Sequence, residues 1–182
     1  MHLFFFINTG YSNHIIVDPS HGNDTTGTGS ISSPYRSLGQ ASYSAFGGDS
    51  ILIRGGHHYA FRNIFVRHNN QNSQKIYIMP YNKENVILDG QGYQFERFWD
   101  AILTINKSSF VEIRDLVVIN NDSGPGIRVI SDSNWTFPGE IYITRFVNVV
   151  NCKTNNTSKQ GILIQGKNIN VDSCEISNAV MR

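Results

Sequence analysis

Short apolar strands recur along the C-terminal half of the chain. Three segments repeat one pattern, in which an apolar strand is followed by an alternating strand and then by an apolar stretch ending in asparagine; they are Ala101–Asn121, Gly126–Cys152 and Gly161–Asn178. A repeat of this length that contains only short strands is typical of a parallel β-solenoid, in which each repeat forms one coil. The pattern therefore predicts an all-β fold, a right-handed parallel β-helix, with regular coils over about residues 101–178.

Alternation within the strands predicts which side chains face the core, because successive strand residues point to opposite sides. In the second strands, at 111–113, 141–143 and 169–171, it predicts an inward column of Ile113, Ile143 and Val171 and an outward row of Glu112, Tyr142 and Asn170. In the first strands the predicted inward pairs are Ile102 with Thr104, Ile127 with Val129 and Ile162 with Ile164, and the predicted outward residues are Leu103, Arg128 and Leu163. These columns predict a core that runs through all three coils.

The asparagine that ends each repeat predicts a structural ladder. The third stretches of the repeats, 116–120, 147–151 and 174–178, end in Asn120, Asn151 and Asn178, which fall at the same corner of the predicted coils. Stacked side-chain amides can hydrogen-bond from one coil to the next and satisfy a tight bend. We therefore assign the three asparagines to the structure of the bend and not to binding.

The N-terminal part, about residues 15–50, has the pattern of a cap. Ser33 suits a helix N-cap and Pro34 a first helical position, and apolar residues follow at helical spacing until Gly47 and Gly48. We predict one helix over residues 34–46 that covers the end of the solenoid, because an open stack exposes unpaired edges and core. The whole chain, residues 1–182, is interpreted as a single β-helix domain.

Composition and charge exclude several classes of partner. The formal net charge of +1 provides no bulk attraction to nucleic acid, and no apolar run approaches the ~20 residues of a membrane span. Cys152 and Cys174 form no metal motif, occupy different points of the predicted coils and are expected as free thiols, with a disulfide as the alternative. Six Asn-x-Ser/Thr sequences favour a glycosylated protein that is secreted or lies at the cell surface.

Several N-terminal motifs resemble the opening of a known protein family. They are Val17–Asp24, Gly29–Tyr35, Gly47–Ile51, Arg54–Gly56, Tyr59, Ile76–Tyr81 and Val86–Gly90. Together they resemble secreted right-handed parallel β-helix proteins of the pectate-lyase superfamily, and most closely the N-terminal coils of family-nine pectate lyases and related glycosidases. The resemblance covers residues 15–178. It implies a β-helix, secretion and a polysaccharide as partner.

The resemblance does not extend to an active site. Family-nine lyases hold calcium in an aspartate cluster and use a catalytic lysine, and neither is matched here residue by residue. No cofactor is therefore assigned from the residues, and calcium is implied by the resemblance alone. The sequence reaches residue 182 without a closing helix, so we expect further coils, self-association or another partner at the C-terminal end.

Two groups of residues are candidates for binding a sugar. The first group combines a basic side chain, an acidic side chain and an aromatic ring on one strand and the long turn after it; its members are Arg128, Asp132 and Trp135. Such a set suits a sugar that carries a carboxylate. Arg114 and Asp172 face outward at the same register two coils apart, with Thr144 between them, which separates them by about 10 Å and suits a sugar cleft. The alternative is that all of these are solvated surface charges.

Neither a catalytic residue nor a metal site is assigned. His57 and His58 are adjacent, and neighbouring strand residues point to opposite faces, so they do not chelate one ion together. Two functions remain open. The first is an extracellular carbohydrate-active protein, like a polysaccharide lyase or a glycoside hydrolase. The second is a non-catalytic β-helix that serves as a structural, fibre or adhesin module.

Overall fold

The computed structural model describes residues 12–59, 63–66, 73–93, 100–131 and 143–179. The strands form three sheets. The first sheet contains β1 (His14–Val17), β2 (Ser50–Ile53), β5 (Ile76–Pro80), β8 (Ser109–Arg114), β11 (Arg145–Val150) and β14 (Lys167–Asp172). The second contains β4 (Asn63–Val66), β7 (Leu103–Asn106), β10 (Ile127–Ile130) and β13 (Ile162–Gln165). The third contains β3 (Gly56–Tyr59), β6 (Val86–Asp89), β9 (Val117–Asn121), β12 (Lys153–Thr157) and β15 (Glu175–Ala179).

The order in which the chain visits the sheets defines a β-helix. Strands β7, β8 and β9 lie in three different sheets, and β10 to β12 and then β13 to β15 repeat the same circuit. Each strand pairs in parallel with the equivalent strand of the next coil. This topology confirms the predicted all-β parallel β-helix.

Apolar columns fill the inside of the coils. In the six-stranded sheet one column joins Ile51, Ile78, Ile113 and Val149, all completely buried, and continues to Val171. Burial of such columns supplies most of the stability, at roughly 0.8 kcal/mol for each CH₂ group removed from water. Val171 is 39% exposed because it stands in the last described coil.

The predicted place of Ile143 in this column is wrong. The second strand of the middle coil is Arg145–Val150, and Val149 pairs with Ile113 and Val171. Ile143 precedes the strand and is half-buried. The two stretches 141–143 and 147–149 alternate in the same way, so a period of two does not distinguish between them; the register with β8 and β14 does.

The first strand of the first regular coil is also displaced by one residue. Leu103 and Ile105 pair with Ile127 and Val129 and face inward, whereas the prediction placed Ile102 and Thr104 there. A shift of one residue exchanges the two faces of a strand. Leu103 is therefore a core residue, and Thr104 is the neighbour of Arg128 on the outer face.

The cap contains one α-helix, α1 (Leu38–Ser44), which is shorter than the predicted span. Ser37 caps it instead of Ser33, because its side chain accepts a hydrogen bond from the backbone N–H of Gln40 at 3.0 Å. The carboxylate of Asp24 accepts the N–H groups of residues 36 and 37, which keeps the chain before the helix extended. Leu38 and Ala41 are completely buried and join the core next to the first coil.

Three rows of residues with left-handed backbone mark bends of the chain; the second row lies between two sheets, and the other two lie inside strands near their ends. The rows are Phe110, Phe146 and Asn168; Asp115, Asn151 and Ser173; and Asn120, Asn156 and Asn178. The structure thus places Asn151 at a different bend from Asn120 and Asn178. Its side-chain N–H donates to Asp115 at 2.7 Å, whereas that of Asn156 donates to Asn120 at 2.8 Å.

The two cysteines follow the second of these rows. Cys152 comes after Asn151 and Cys174 after Ser173, so they stand at equivalent points of adjacent coils, and the predicted difference in position is wrong. Both are free thiols in the structure. Cys152 is completely buried, and burial raises the pKa of its thiol to about 12.

Candidate functional site

The outer face of the six-stranded sheet carries two rows of side chains. One row runs through Leu52, Met79, Arg114, Val150 and Asp172. The other runs through Tyr77, Glu112, Asn148 and Asn170. The structure therefore brings Arg114 and Asp172 to one row with a single strand between them, a separation of about 10 Å. The residue between them is Val150, whereas the sequence placed Thr144 there.

Glu112 is the centre of a polar network on this face. Its carboxylate accepts hydrogen bonds from Lys75 Nζ at 2.9 Å, from Asn148 Nδ2 at 3.1 Å and from Arg114 at 3.5 Å. The Glu112 side chain is only 11% exposed. Burial alone would raise the pKa of Glu112, but the hydrogen bonds from Lys75 and Asn148 and the two nearby cations outweigh it and hold that pKa below its ordinary value.

Arg114 connects this network to the adjacent bend. Its Nε donates to Asp115 at 3.1 Å, and its terminal nitrogen faces Glu112 on the other side. Asp115 is itself held by Asn151 at 2.7 Å. Two carboxylates thus orient the guanidinium group, and the Arg114 side chain stays 39% exposed. A fixed, half-exposed guanidinium group is suited to bind a carboxylate or a hydroxyl group of a ligand.

A groove of about 790 Å³ lies beside Arg114. Its lining residues come from β1, β2 and β5, from the turn after β5 and from the end of β8; they are His14, Leu52, Met79, Pro80, Asn82, Lys83, Glu84, Asn85, Arg114 and Asp115. Three of them are apolar and the rest are polar or charged. The volume lies within the range of roughly 300 to 1,000 Å³ that is typical of small-ligand sites, whereas the lining is more polar than is usual for them.

Glu84 is an ionised residue at the edge of this groove. Its carboxylate accepts the backbone N–H of Gly55 and the Nε of Arg54. The hydrogen bond from Gly55 is the largest influence and lowers the pKa of Glu84, and the pairing with Arg54 adds to it against the effect of burial. Glu84 and Glu112 are thus both held as carboxylates, which accept hydrogen bonds from ligand hydroxyl groups and do not donate a proton.

Arg128 lies on a different sheet. It is half-buried on β10, between Thr104 and Leu163 on the outer face of the four-stranded sheet. Asp132 and Trp135, its predicted companions, lie outside the described residues. The structure therefore does not join Arg128 to Arg114 and Asp172, and the predicted outward leucine on one side of Arg128 is a buried threonine.

A second polar chain runs across the five-stranded sheet. Asp89 is 1% exposed and accepts hydrogen bonds from His57 at 2.6 Å, from Asn120 Nδ2 at 2.9 Å and from the backbone of Gln91 at 2.8 Å. Burial raises the pKa of Asp89, but these bonds together hold it below its ordinary value. Asn156 extends the chain by one coil. The adjacent His58 points inward, where it is buried and bonds to the carbonyl of Arg54 at 2.9 Å.

Sequence reasoning missed the partners that define the first network. Glu112 was recognised as an outward residue, but Lys75 precedes a strand without any pattern, and Asn148 was assigned to a different strand. Across the part of the chain that the structure describes, no group of three or more His, Cys, Asp or Glu residues is placed to hold a metal ion. No helix in that part is long and apolar enough to cross a membrane.

The solved structures found to have a similar fold carry the names of enzymes that act on carbohydrates. A selenomethionine derivative of the GH136 lacto-N-biosidase from Eubacterium ramulus is 14% identical with a TM-score of 0.66, and the match covers 90% of this chain and 34% of that one. The native form of the same protein is 15% identical with a TM-score of 0.61 and the same coverage. A rhamnogalacturonan lyase is 13% identical with a TM-score of 0.54, covering 92% of this chain and 56% of that one.

These matches concern the fold. No family model matches the sequence, and no curated protein matches it either. The chain spans about a third to just over half the length of the similar structures. At 13–15% identity the likeness shows that this chain shares the β-helix fold of a glycoside hydrolase and a polysaccharide lyase, and it does not single out the pectate lyases.

Proposed function

We propose that this chain belongs to an extracellular carbohydrate-active β-helix protein, lyase-like or glycosidase-like, and that it binds a saccharide in the groove beside Arg114. The observation that carries the proposal is the groove itself, in which apolar residues of β2 and β5 lie next to a guanidinium group held by two carboxylates. The fold shared with carbohydrate-active proteins supports it.

The lining matches the two kinds of surface on a sugar ring. Leu52, Met79 and Pro80 offer an apolar floor to the C–H face of the ring. Asp115 accepts hydrogen bonds from ring hydroxyl groups, and Arg114 pairs with a carboxylate, so an acidic sugar fits this groove better than a neutral one. Asp172 lies beyond Val150 on the same row and extends the polar surface by two coils.

A specific observation favours the second candidate, a structural module. The last described coil exposes apolar residues that are equivalent to buried core residues of earlier coils. Ile164 is 40% exposed, Val171 39% and Ile176 51%. Another molecule or further coils would bury this surface, and a fibre or an adhesin would be built in this way. Association through this surface remains a prediction.

Secretion and glycosylation also remain proposals, and the structure narrows the acceptor sites. Asn121 is completely buried and bonded to the carbonyls of Asp100 and Pro125, so it is closed to a glycan. Asn155 and Asn156 are exposed on β12. A secreted form is expected to carry glycans there and not at Asn121, which mass spectrometry of tryptic glycopeptides would show.

Titration calorimetry with a galacturonic acid tetramer and a neutral tetramer of the same length tests the groove. The acidic oligomer should bind more tightly, and Arg114→Gln should weaken it about tenfold or more, which is the loss of one charge-assisted contact. Arg36→Gln on the exposed cap is the matched control and should change nothing. Equal binding by the parent and Arg114→Gln, or no binding of either oligomer, would reject the groove as the saccharide site.

A further inference from the structure

A pair of stacked phenylalanines, of which Phe146 is exposed and Phe110 is half-buried, stands at the bend where the chain enters the six-stranded sheet. Phe110 and Phe146 lie at the starts of β8 and β11 on adjacent coils, with ring centroids 4.9 Å apart and an angle of 12° between their planes. Phe146 is 40% exposed. At the same point of the next coil the stack ends, because that position is Asn168.

The backbone at this bend does not call for phenylalanine. Phe110 and Phe146 have φ values of +57° and +54°, in the left-handed region that bulky side chains rarely adopt and that asparagine tolerates. Asn168 fills the third position of the row with a φ of +52°. Asparagines fill the whole of another row, at 120, 156 and 178. The solenoid therefore tolerates asparagine at such bends, and the two rings need a reason other than the bend.

One cation lies over the exposed ring, and a second belongs to the adjacent position of the next strand. The guanidinium carbon of Arg145 lies 5.9 Å from the centroid of the Phe146 ring. Lys167 is the register partner of Arg145 on the next strand, so the two backbones are about 4.8 Å apart. Both side chains are exposed. Among the described residues neither has an acidic group within 4.0 Å. Like charges placed side by side on neighbouring strands are destabilising, and an anion between them would remove that cost.

The nearest acidic group on the neighbouring strand of this face is already engaged. Glu112 lies three residues beyond the position paired with Arg145, and it is bonded to Lys75, Asn148 and Arg114. The bend is also separate from the groove, because four residues of strand, about 13 Å, separate Phe110 from Arg114. An exposed aromatic surface thus coincides with two cations that have no acidic partner among the described residues, at a site separate from the groove.

We propose that this bend binds a sugar ring that carries an acidic substituent, with the ring against Phe146 and the anion between Arg145 and Lys167. An aromatic ring binds the C–H face of a sugar, and two cations select a carboxylate or a sulfate ester. The site is a second contact point for an anionic glycan and does not depend on binding in the groove.

The variant Phe146→Asn separates a binding role from a structural one. Asparagine suits the left-handed backbone, so this variant should melt at or above the melting temperature of the parent. In the Arg114→Gln background, its affinity for a galacturonic acid tetramer or a heparin-derived tetrasaccharide should fall about tenfold relative to Arg114→Gln alone, the loss of a stacking contact of roughly 1.4 kcal/mol. The two acidic probes distinguish a carboxylate ligand from a sulfate ligand.

The charge variants are measured in the Arg114→Gln background, so that binding in the groove does not obscure the affinity of the bend for the acidic glycan. There, Arg145→Gln and Lys167→Gln should each weaken the remaining binding and reduce its dependence on salt, whereas Lys153→Gln, the same change on the five-stranded sheet, should not. A lower melting temperature of Phe146→Asn with unchanged affinity would show that the stack is structural and overturn the proposal. So would the loss of all acidic-glycan binding in Arg114→Gln alone.

Discussion

The substitution Glu112→Gln tests whether the polar network on the six-stranded sheet stabilises the fold as well as orienting Arg114. Glu112 and Lys75 are 2.9 Å apart, and the glutamate side chain is 11% exposed. Glutamine keeps the shape, loses the charge and turns an N–H donor toward two cations. A hydrogen bond to a charged group contributes about 1.5–3 kcal/mol, but Lys75 and Arg114 are 38% and 39% exposed, so solvent screening reduces the expected loss to about 1–2 kcal/mol. For a chain of this size that loss lowers the melting temperature by about 2–8 °C.

The chain contains a matched control for this measurement. Glu175 and Lys153 are also 2.9 Å apart, but their side chains are 62% and 59% exposed. Glu175→Gln should therefore change the free energy of unfolding by less than about 0.5 kcal/mol. The two ion pairs have the same length, but Glu112 is more buried and has the additional partners Asn148 and Arg114. Equal shifts in urea unfolding would therefore refute the argument that burial and the shared network give Glu112 its strength.

The pH dependence of the same variant has a definite sign. Because the pKa of Glu112 is lowered in the folded protein, its stabilisation is present above the ordinary value of 4.5 and is lost as the pH falls through the lowered value. The difference between the parent and Glu112→Gln should be largest at neutral pH and should shrink below about pH 4.5. A difference that stays constant from pH 7 to pH 3 would show that the charge is not responsible.

Three further predictions concern the core, the second polar chain and the thiols. Val149→Ala should cost about 2–3 kcal/mol of unfolding free energy and Val171→Ala about half of that or less, because the first valine is completely buried and the second is 39% exposed in the same column; equal costs in urea unfolding would contradict the column. Asp89→Asn should cost about 1–3 kcal/mol, since it weakens three hydrogen bonds at a buried carboxylate, and a stability unchanged at pH 7 would argue against them. Under native conditions iodoacetamide should modify Cys174, which is partly exposed, and spare Cys152, whose thiol pKa is about 12; mass spectrometry of equal labelling would contradict this.

The repeats were sufficient to predict the fold class because every coil repeats one physical requirement. Most strands carry apolar residues on their inward side, and the column that contains Ile113 and Val171 shows this directly in the sequence. The cap helix was predictable for the same reason, although its N-cap was not. The choice of Ser37 over Ser33 as the N-cap depends on the carboxylate of Asp24, which accepts the N–H groups of residues 36 and 37. Asp24 lies 12 and 13 residues before them in the sequence, so the local pattern does not show this contact.

The third strand of the middle coil was missed because its composition is polar. Lys153–Thr157 contains no strongly apolar residue, yet Thr154 and Thr157 are almost completely buried. Its position follows from pairing with β9 and β15 and not from its own pattern. With this strand unrecognised, the preceding strand Arg145–Val150 was assigned to its place, and Ile143 was moved into the core column.

The candidate site was harder to predict than the fold because it arises from the register between coils. Lys75 lies 37 residues before Glu112, and Asn148 lies 36 residues after it. When one strand is assigned wrongly, every residue on the outer face of the adjacent strands is given the wrong neighbour. The prediction therefore placed Thr144 where Val150 stands and did not place Asn148 next to Glu112. Arg114 and Asp172 escaped this error because the strands that carry them, in the first and third coils, were assigned correctly. In a solenoid, a prediction of the core remains correct in kind after such an error, because the inward residues of different strands are chemically alike. A prediction of an outer-face site is correct only if the right residue is assigned in every coil.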